Sequence, residues 1–123
     1  MTWRVIFYET PTGRIPVEEY LDALPTKDKV AVARWLQRLE ADGPNQPPDR
    51  VKHLVDKIWE LRVSSTQGEH RIVYFVHMNC ATLLVAFLKK QDDTPARILD
   101  LAQKRCRDWK QRYDEWRNGC QGS

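Results

Sequence analysis

The sequence has few of the features that mark disulfide-rich, zinc-binding or membrane proteins. Its three cysteines are odd in number and lack C-x-x-C spacing, which argues against a disulfide framework and a structural zinc site. The longest apolar run, Leu83–Leu88, is far too short to cross a bilayer. The N-terminal residues lack the apolar core and the cleavage site of a signal peptide. We therefore expect a cytoplasmic protein with no membrane partner and no bound metal.

A strong charge imbalance is also absent. The formal net charge is +3 over 123 residues, so a nucleic-acid site would have to come from local clustering of basic residues. The length suits one hydrophobic core. We expect a single domain at 1–123, with a disordered tail at 118–123.

What the sequence does contain is an apolar pattern that predicts an α+β fold with the order β-α-α-β-β-β-α. We expect an antiparallel sheet with two helices packed on one face, and a long C-terminal helix beside the other face or crossing its edge. Thr26 is the predicted N-cap of the second helix, and residues 67–68 and 78–79 are the predicted turns. The predicted elements are a strand at Trp3–Tyr8, a helix at Val17–Leu24, a helix that follows Thr26 and runs to about Asp42, strands within Ile58–Val63, Glu69–Val76 and Thr82–Lys90, and a helix from Pro95 onward.

Basic residues interrupt or close the last three predicted strands. Strand alternation places Glu60 and Arg62 opposite the apolar face of their strand. Arg71 lies beside them on the open face if Ile72 and Tyr74 pack against the helices. The fourth strand ends in two lysines, at least one of which shares the face of Phe87. The predicted patch consists of Glu60, Arg62, Arg71, Phe87, Lys89 and Lys90.

Such a patch suits metal-independent cleavage of RNA, without a cofactor. Fixed guanidinium and ammonium groups neutralise the charge that develops on the scissile phosphate. Glu60 is a candidate base, and Lys89 or Lys90 could carry a proton if burial or neighbouring cations lower its pKa. An unpaired base could stack on an aromatic side chain. The candidate RNA contacts are Lys57, Trp59, Phe87 and His70.

Each of these residues also has a structural interpretation. Arg62 could form a surface ion pair with Glu60. The two lysines could be a solvated strand end, and His70 could have a structural role on the core side of its strand. The chain contains no phosphate-binding glycine loop and no nucleophile elbow, so these alternatives stay open on the residues alone.

The chain resembles the RelE/ParE superfamily of bacterial toxins, and most closely the HigB-type, phage-derived RelE-like branch. The resemblance lies in WELRV, EHRIVYF, and LLVAFLKK followed by TPARILDLAQKR. It implies a RelE-like fold and a ribosome-dependent endoribonuclease that cuts mRNA in the A site without a metal. Arg71 matches the family's arginine that contacts phosphate, Arg62 the arginine closing the second strand, and Lys90 the basic residue after the fourth strand.

The resemblance also implies partners and leaves two other functions open. The implied partners are a cognate antitoxin, the ribosome and mRNA. Ile58 and Glu60 stand where RelE has lysines, and the Pro95-Ala96 helix start stands where RelE has a tyrosine, so the catalytic acid and base are not carried over. The alternatives are a ParE-like gyrase inhibitor without nuclease activity and a non-catalytic RNA- or protein-binding module. For the nuclease, we expect alanine at Arg71 to abolish cleavage and leave the fold intact.

Overall fold

The computed structural model describes residues 3–43, 45–90 and 93–121, without the side chains of residues 113–121. Helices and strands occupy most of these ranges. In chain order they are β1 (Arg4–Phe7), α1 (Pro16–Asp22), α2 (Thr26–Asp42), β2 (Val51–Val55), β3 (Ile58–Ser65), β4 (Gly68–His77), β5 (Cys80–Leu88) and α3 (Ala96–Gln121).

The five strands form one mixed sheet in the order β1-β5-β4-β3-β2. The antiparallel meander β3-β4-β5 is confirmed, but β1 runs parallel to β5, so the prediction of an antiparallel sheet was wrong at that strand. More than 70 residues separate these two strands, and no local turn fixes their relative direction. The prediction also missed β2, whose half-exposed sequence VKHLV lacks a clear alternation and pairs with β3 at the sheet edge.

Tight turns set the register of the meander. Met78 and Asn79 connect β4 to β5 with φ angles of 50° and 63°, as a type I′ turn requires. Thr66 and Gln67 connect β3 to β4. The predicted turn at 78–79 is therefore confirmed, and the one predicted at 67–68 lies one residue earlier. The resulting register places Arg62 opposite Arg71 and Arg71 opposite Phe87.

Hydrophobic cores lie on both faces of the sheet. On the first face, α1 and α2 cover Leu61 and Val63 of β3 together with Ile72 and Tyr74 of β4, as strand alternation predicted. On the second face, α3 covers a separate core. This face was expected to be partly open, with α3 beside it or crossing its edge. The second core contains Ile58, Val73, Phe75, Leu84 and Val85 from the sheet and Ile98, Ala102 and Cys106 from α3.

The helix ends differ in detail from the predictions. The N-cap position of α2 is Pro25, and Thr26 is already helical. α3 continues to Gln121, which includes part of the predicted tail; residues 122 and 123 lie outside the described residues. The apolar spacing of the last helix also predicts that Tyr113 and Trp116 pack on its apolar face, but these side chains lie outside the described part. In the described chain, every helix is too short or too polar to cross a bilayer.

Candidate functional site

Glu60 lies at the centre of a polar cluster on the second face of the sheet. Its side chain is fully buried, and it points towards α3 because it alternates with the core residue Leu61. The Glu60 Oε1 atom lies 3.4 Å from Arg71 Nη1 and 3.5 Å from Arg62 Nε. Thr94 Oγ1 donates a 2.6 Å hydrogen bond to Glu60 Oε2 from the segment before α3. We call Glu60, Arg62, Glu69, Arg71 and Thr94 the Glu60 cluster.

The Glu60 cluster is balanced in charge. Glu69, which the sequence interpretation did not single out, accepts a 3.0 Å hydrogen bond from Arg71 Nε. Two carboxylates therefore face two guanidinium groups. The expected cationic patch on the strand face is largely neutralised, and the excess positive charge must come from elsewhere.

The two arginines of the cluster differ in accessibility. The Arg71 side chain is 2% exposed, whereas that of Arg62 is 27% exposed. Removing Arg71 would leave the buried charge of Glu60 poorly compensated, which is costly in a dry interior. The geometry therefore argues against the expectation that Arg71 can be replaced by alanine without loss of stability.

The positive charge is concentrated in a cleft next to the Glu60 cluster. The cleft has a volume of about 740 Å³ and is lined by residues of α1, β5 and the first half of α3. Lys90, Arg97 and Arg105 contribute three positive charges to its wall, against one negative charge from Glu19. Burial lowers the pKa of the Arg105 guanidinium, which nevertheless stays protonated at neutral pH. The cleft therefore suits an anionic ligand.

The cleft exists because β1 covers only half of β5. β1 pairs with Cys80–Leu83 and ends at Phe7, opposite Leu83. Beyond that point, within the described residues, β5 has no strand neighbour on this side. Arg105 Nη1 donates a 2.7 Å hydrogen bond to the Leu84 carbonyl, the first one past β1. The remaining backbone up to Leu88 forms part of the cleft wall.

Phe87 connects the cleft to the Glu60 cluster. It is the cross-strand partner of Arg71 in the β4–β5 ladder, and it also lines the cleft with Lys90. Lys90 is exposed, and Lys89 is half-buried at the end of the same strand. The structure therefore brings together six of the predicted residues, namely Glu60, Arg62, Arg71, Phe87, Lys89 and Lys90.

The structure separates three predicted RNA contacts from this site. Trp59 and His70 alternate with Glu60 and Arg71, so they lie on the first face of the sheet, and His70 is only 1% exposed. Lys57 is exposed next to β3, where its carbonyl accepts a hydrogen bond from Val76 N. This is the far end of β4 from the cleft, roughly 20 Å away at about 3.3 Å per residue.

Other side chains of the site could not be identified from the sequence pattern. Tyr20 reaches the cleft from α1, although it is 50 residues away from its hydrogen-bond partner His70. Arg97 and Arg105 belong to the last helix, whereas the predicted patch was derived from the strands alone. Among the described residues, no group of three or more His, Cys, Asp and Glu side chains could hold a metal ion.

Comparison with known protein families shows the family to which this chain belongs. The profile of the phage-derived Gp49-like proteins (DUF891) matches residues 19–107, which is more than half of the chain. The chain belongs to this family. The Gp49-like family is of the RelE/HigB-like toxin type. A search of the curated proteins gave no match.

The match covers the parts of the chain that form the site. It runs from Glu19 in α1 to Arg107 in α3 and includes the Glu60 cluster and every cleft-lining residue except Pro16. β1, which lies outside it, does not line the cleft. The family membership indicates a toxin-like module, and the α+β fold with its five-stranded sheet and C-terminal helix is consistent with a RelE-like fold.

Proposed function

We propose that this Gp49-like protein is the toxin of a type II toxin–antitoxin pair, of the HigB-type branch, and that it cleaves mRNA on the ribosome. The reaction is metal-independent endoribonucleolytic cleavage that stops translation. Its partners are the ribosome with its mRNA and a cognate antitoxin that neutralises it. The proposal extends the toxin-like character of the family to a specific activity.

The observation that supports the proposal is the cationic cleft beside the Glu60 cluster. Lys90, Arg97 and Arg105 line a groove of about 740 Å³, and such cations attract the phosphates of RNA. Phe87 offers an aromatic surface to an unpaired base. Because Phe87 lies in β5 and Arg97 and Arg105 lie in α3, these groups are held in place before the substrate binds.

The cleft provides what metal-free cleavage of RNA needs. The ribose 2′-hydroxyl attacks the adjacent phosphorus, the bond from phosphorus to the 5′-oxygen breaks, and a 2′,3′-cyclic phosphate and a 5′-hydroxyl result. Cations at the phosphate stabilise the negative charge of the transition state. Arg71 has an indirect role. Its ion pair with Glu60 holds β4 next to Phe87 of β5.

The first prediction tests the cleft in a reconstituted translation reaction, with mRNA ends mapped by primer extension. Wild-type protein should produce new ends only when ribosomes are present. Combined alanine substitutions at Lys90 and Arg97 should reduce cleavage by about 10²-fold or more, because two charges that stabilise the transition state are lost. The matched control replaces Lys29 and Arg34, two exposed basic residues of α2, and should cleave like wild type.

Other results would contradict the proposal in distinguishable ways. Equal activity of the cleft variant and the α2 variant would exclude the cleft as the site of cleavage. New ends without ribosomes would exclude ribosome dependence. Intact mRNA throughout would exclude the nuclease.

The burial of Arg71 favours one second candidate, a ParE-like inhibitor of DNA gyrase without nuclease activity. An arginine that is 2% exposed and paired with two carboxylates can serve the scaffold alone. Inhibition of gyrase supercoiling by the purified protein, together with intact mRNA, would identify this function.

A further inference from the structure

Three polar side chains from three different elements form a continuous chain of hydrogen bonds that leads to the cleft. The Tyr20 hydroxyl of α1 lies 2.7 Å from His70 Nδ1 of β4. His70 Nε2 lies 2.8 Å from Asp28 Oδ2, in the first turn of α2. His70 and Asp28 are each 1% exposed at the side chain, whereas Tyr20 is half-buried and lines the cleft.

The direction of these hydrogen bonds follows from Asp28. The hydrogen bond from His70 lowers the pKa of the Asp28 carboxyl, so Asp28 is ionised at neutral pH and can only accept. It accepts from Thr66 Oγ1 at 3.2 Å and from His70 Nε2. A neutral His70 then has its lone pair on Nδ1, where the Tyr20 hydroxyl donates.

This polarity is the one found in catalytic triads. A hydroxyl donates to an imidazole, and the imidazole donates to a buried carboxylate that orients it and stabilises its protonated form. Burial, and secondarily the charge of Asp28, raise the pKa of Tyr20, so the hydroxyl is protonated at neutral pH. It can therefore accept a proton from a substrate only if it passes its own proton to His70.

The surroundings of these three hydrogen-bonded side chains suit a proton relay. Within the described residues the Tyr20 oxygen makes no second hydrogen bond, so it has acceptor capacity towards the cleft. The charged groups that line the cleft with Tyr20 are Glu19, Lys90, Arg97 and Arg105. The cross-strand neighbours of His70 are the apolar Val63 and Leu88, so Asp28 is the charged group bonded to the imidazole.

We propose that Tyr20, backed by His70 and Asp28, is the group that takes the proton from the ribose 2′-hydroxyl in the cleft. This inference rests on the proposed endoribonuclease function, and it assigns the base to Tyr20 instead of Glu60, the candidate from the sequence. Tyr20 would touch the substrate, whereas His70 and Asp28 act through it.

The step is balanced in protons and electrons. The 2′-hydroxyl proton moves to the Tyr20 oxygen as the Tyr20 proton moves to His70 Nδ1, and the imidazolium stays hydrogen-bonded to Asp28. The 2′-oxygen forms the bond to phosphorus, and the electron pair of the broken bond leaves with the 5′-oxygen, which takes a proton from solvent. His70 then returns its proton through Tyr20 to solvent.

The test is the single-turnover rate of mRNA cleavage on the ribosome, measured as a function of pH. For wild type we expect a rate that rises with pH to a plateau, as general-base catalysis requires. Tyr20→Phe should lower the plateau by about 10²-fold or more and remove this pH dependence, without weakening ribosome binding. Asp28→Asn removes the carboxylate at nearly constant volume and should also change the dependence of the cleavage rate on pH, which we call the profile.

The matched control is Tyr8→Phe. Tyr8 likewise donates to a carboxylate, Asp108 Oδ2, at 2.7 Å, but it does not line the cleft. If the Tyr20 hydroxyl were only a structural tether, both phenylalanine variants would lower the melting temperature and both would keep the wild-type profile. The proposal requires that only Tyr20→Phe changes the profile.

Each outcome is decisive. Wild-type cleavage with an unchanged Tyr20→Phe profile would overturn the relay and leave the proposed function standing. No cleavage by wild type would overturn both. Circular dichroism melting shows that each variant is folded at the assay temperature; if Tyr20→Phe is not, a wild-type profile for a folded Asp28→Asn would overturn the relay.

Discussion

At the scale of single residues, Glu60 determines how the Glu60 cluster behaves. A carboxylate that is fully buried is stable only if hydrogen bonds and positive charges replace its hydration. Thr94 and Arg71 provide most of this replacement, and the more exposed Arg62 contributes at 3.5 Å. The two arginines should therefore differ strongly in their contribution to stability, although they face each other across the same pair of strands.

We predict that Arg71→Ala lowers the free energy of unfolding by about 3–5 kcal/mol, because it leaves a buried charge without its main partner. Arg62→Ala should cost less than about 1 kcal/mol, as expected for a partly exposed ion pair. Urea denaturation at neutral pH measures both.

A double-mutant cycle provides the control for this prediction. Glu60→Gln removes the charge that Arg71 compensates, so adding Arg71→Ala in that background should cost less than it does in wild type. An equal cost in both backgrounds would show that Arg71 stabilises the protein through contacts other than the one with Glu60, namely packing and its ion pair with Glu69.

At the scale of secondary structure, α3 is held against the end of β1 by a polar tether at Asp108. The Tyr8 hydroxyl donates to Asp108 Oδ2, and Arg112 pairs with the same carboxylate at 2.8 Å, one turn further along the helix. Arg112 also donates to the Glu9 carbonyl. The contacts of α3 with Tyr8 and Glu9 join residues 100 and 103 positions apart.

We predict that this tether weakens in acid. The hydrogen bond from Arg112 lowers the pKa of the Asp108 carboxyl below its ordinary value of 3.8. A lowered folded-state pKa means that the stabilisation is complete above this ordinary value and is lost as the pH falls below it. Asp108→Asn should therefore be less stable than wild type at pH 7, by about 1 kcal/mol, and the difference should shrink in acid.

The measurement is urea denaturation of both proteins between neutral pH and acid. Asp100→Asn is the control on the same helix, because Asp100 is exposed and forms no ion pair among the described residues. The free energy of unfolding of Asp100→Asn should differ from that of wild type by a small amount that does not change with pH. A constant difference for Asp108→Asn as well would contradict the predicted role of the ion pair.

At the scale of the whole molecule, the sheet is stabilised from both faces. The β4–β5 register shifts between Val73 and Tyr74, so Leu84 is an extra residue in β5. This bulge lets Leu84 and Val85 both contribute to the core under α3, while Leu83 contributes to the core under α1 and α2. Adjacent residues of one strand therefore belong to cores on opposite faces.

We predict that Leu83→Ala and Leu84→Ala each lower the free energy of unfolding by about 2–5 kcal/mol, because both side chains are fully buried. Since the sheet is shared by both cores, unfolding should be a single transition. Tryptophan fluorescence and circular dichroism should give coincident urea curves for both variants. Two separate transitions would show that the cores unfold independently.

The parts of the fold that were predictable are those encoded by neighbouring residues. The alternation in β3 and β4 identified the face of Glu60, Arg62 and Arg71, because side chains of a strand point to opposite faces with a period of two. The turn residues identified the meander in the same way. The parallel pairing of β1 was not predictable, since two strands far apart in sequence leave no local signal of their relative direction.

The candidate site was also predictable only in part. The sequence by itself determined the grouping of Glu60, Arg62, Arg71 and Phe87 and the resemblance to RelE-like toxins. Only the tertiary structure decided that Glu69 neutralises the strand face and that cations of α3 form a cleft beside it. Only the tertiary structure joined Tyr20, His70 and Asp28. Periodicity is a property of adjacent residues, whereas burial and charge balance depend on which distant segments pack together.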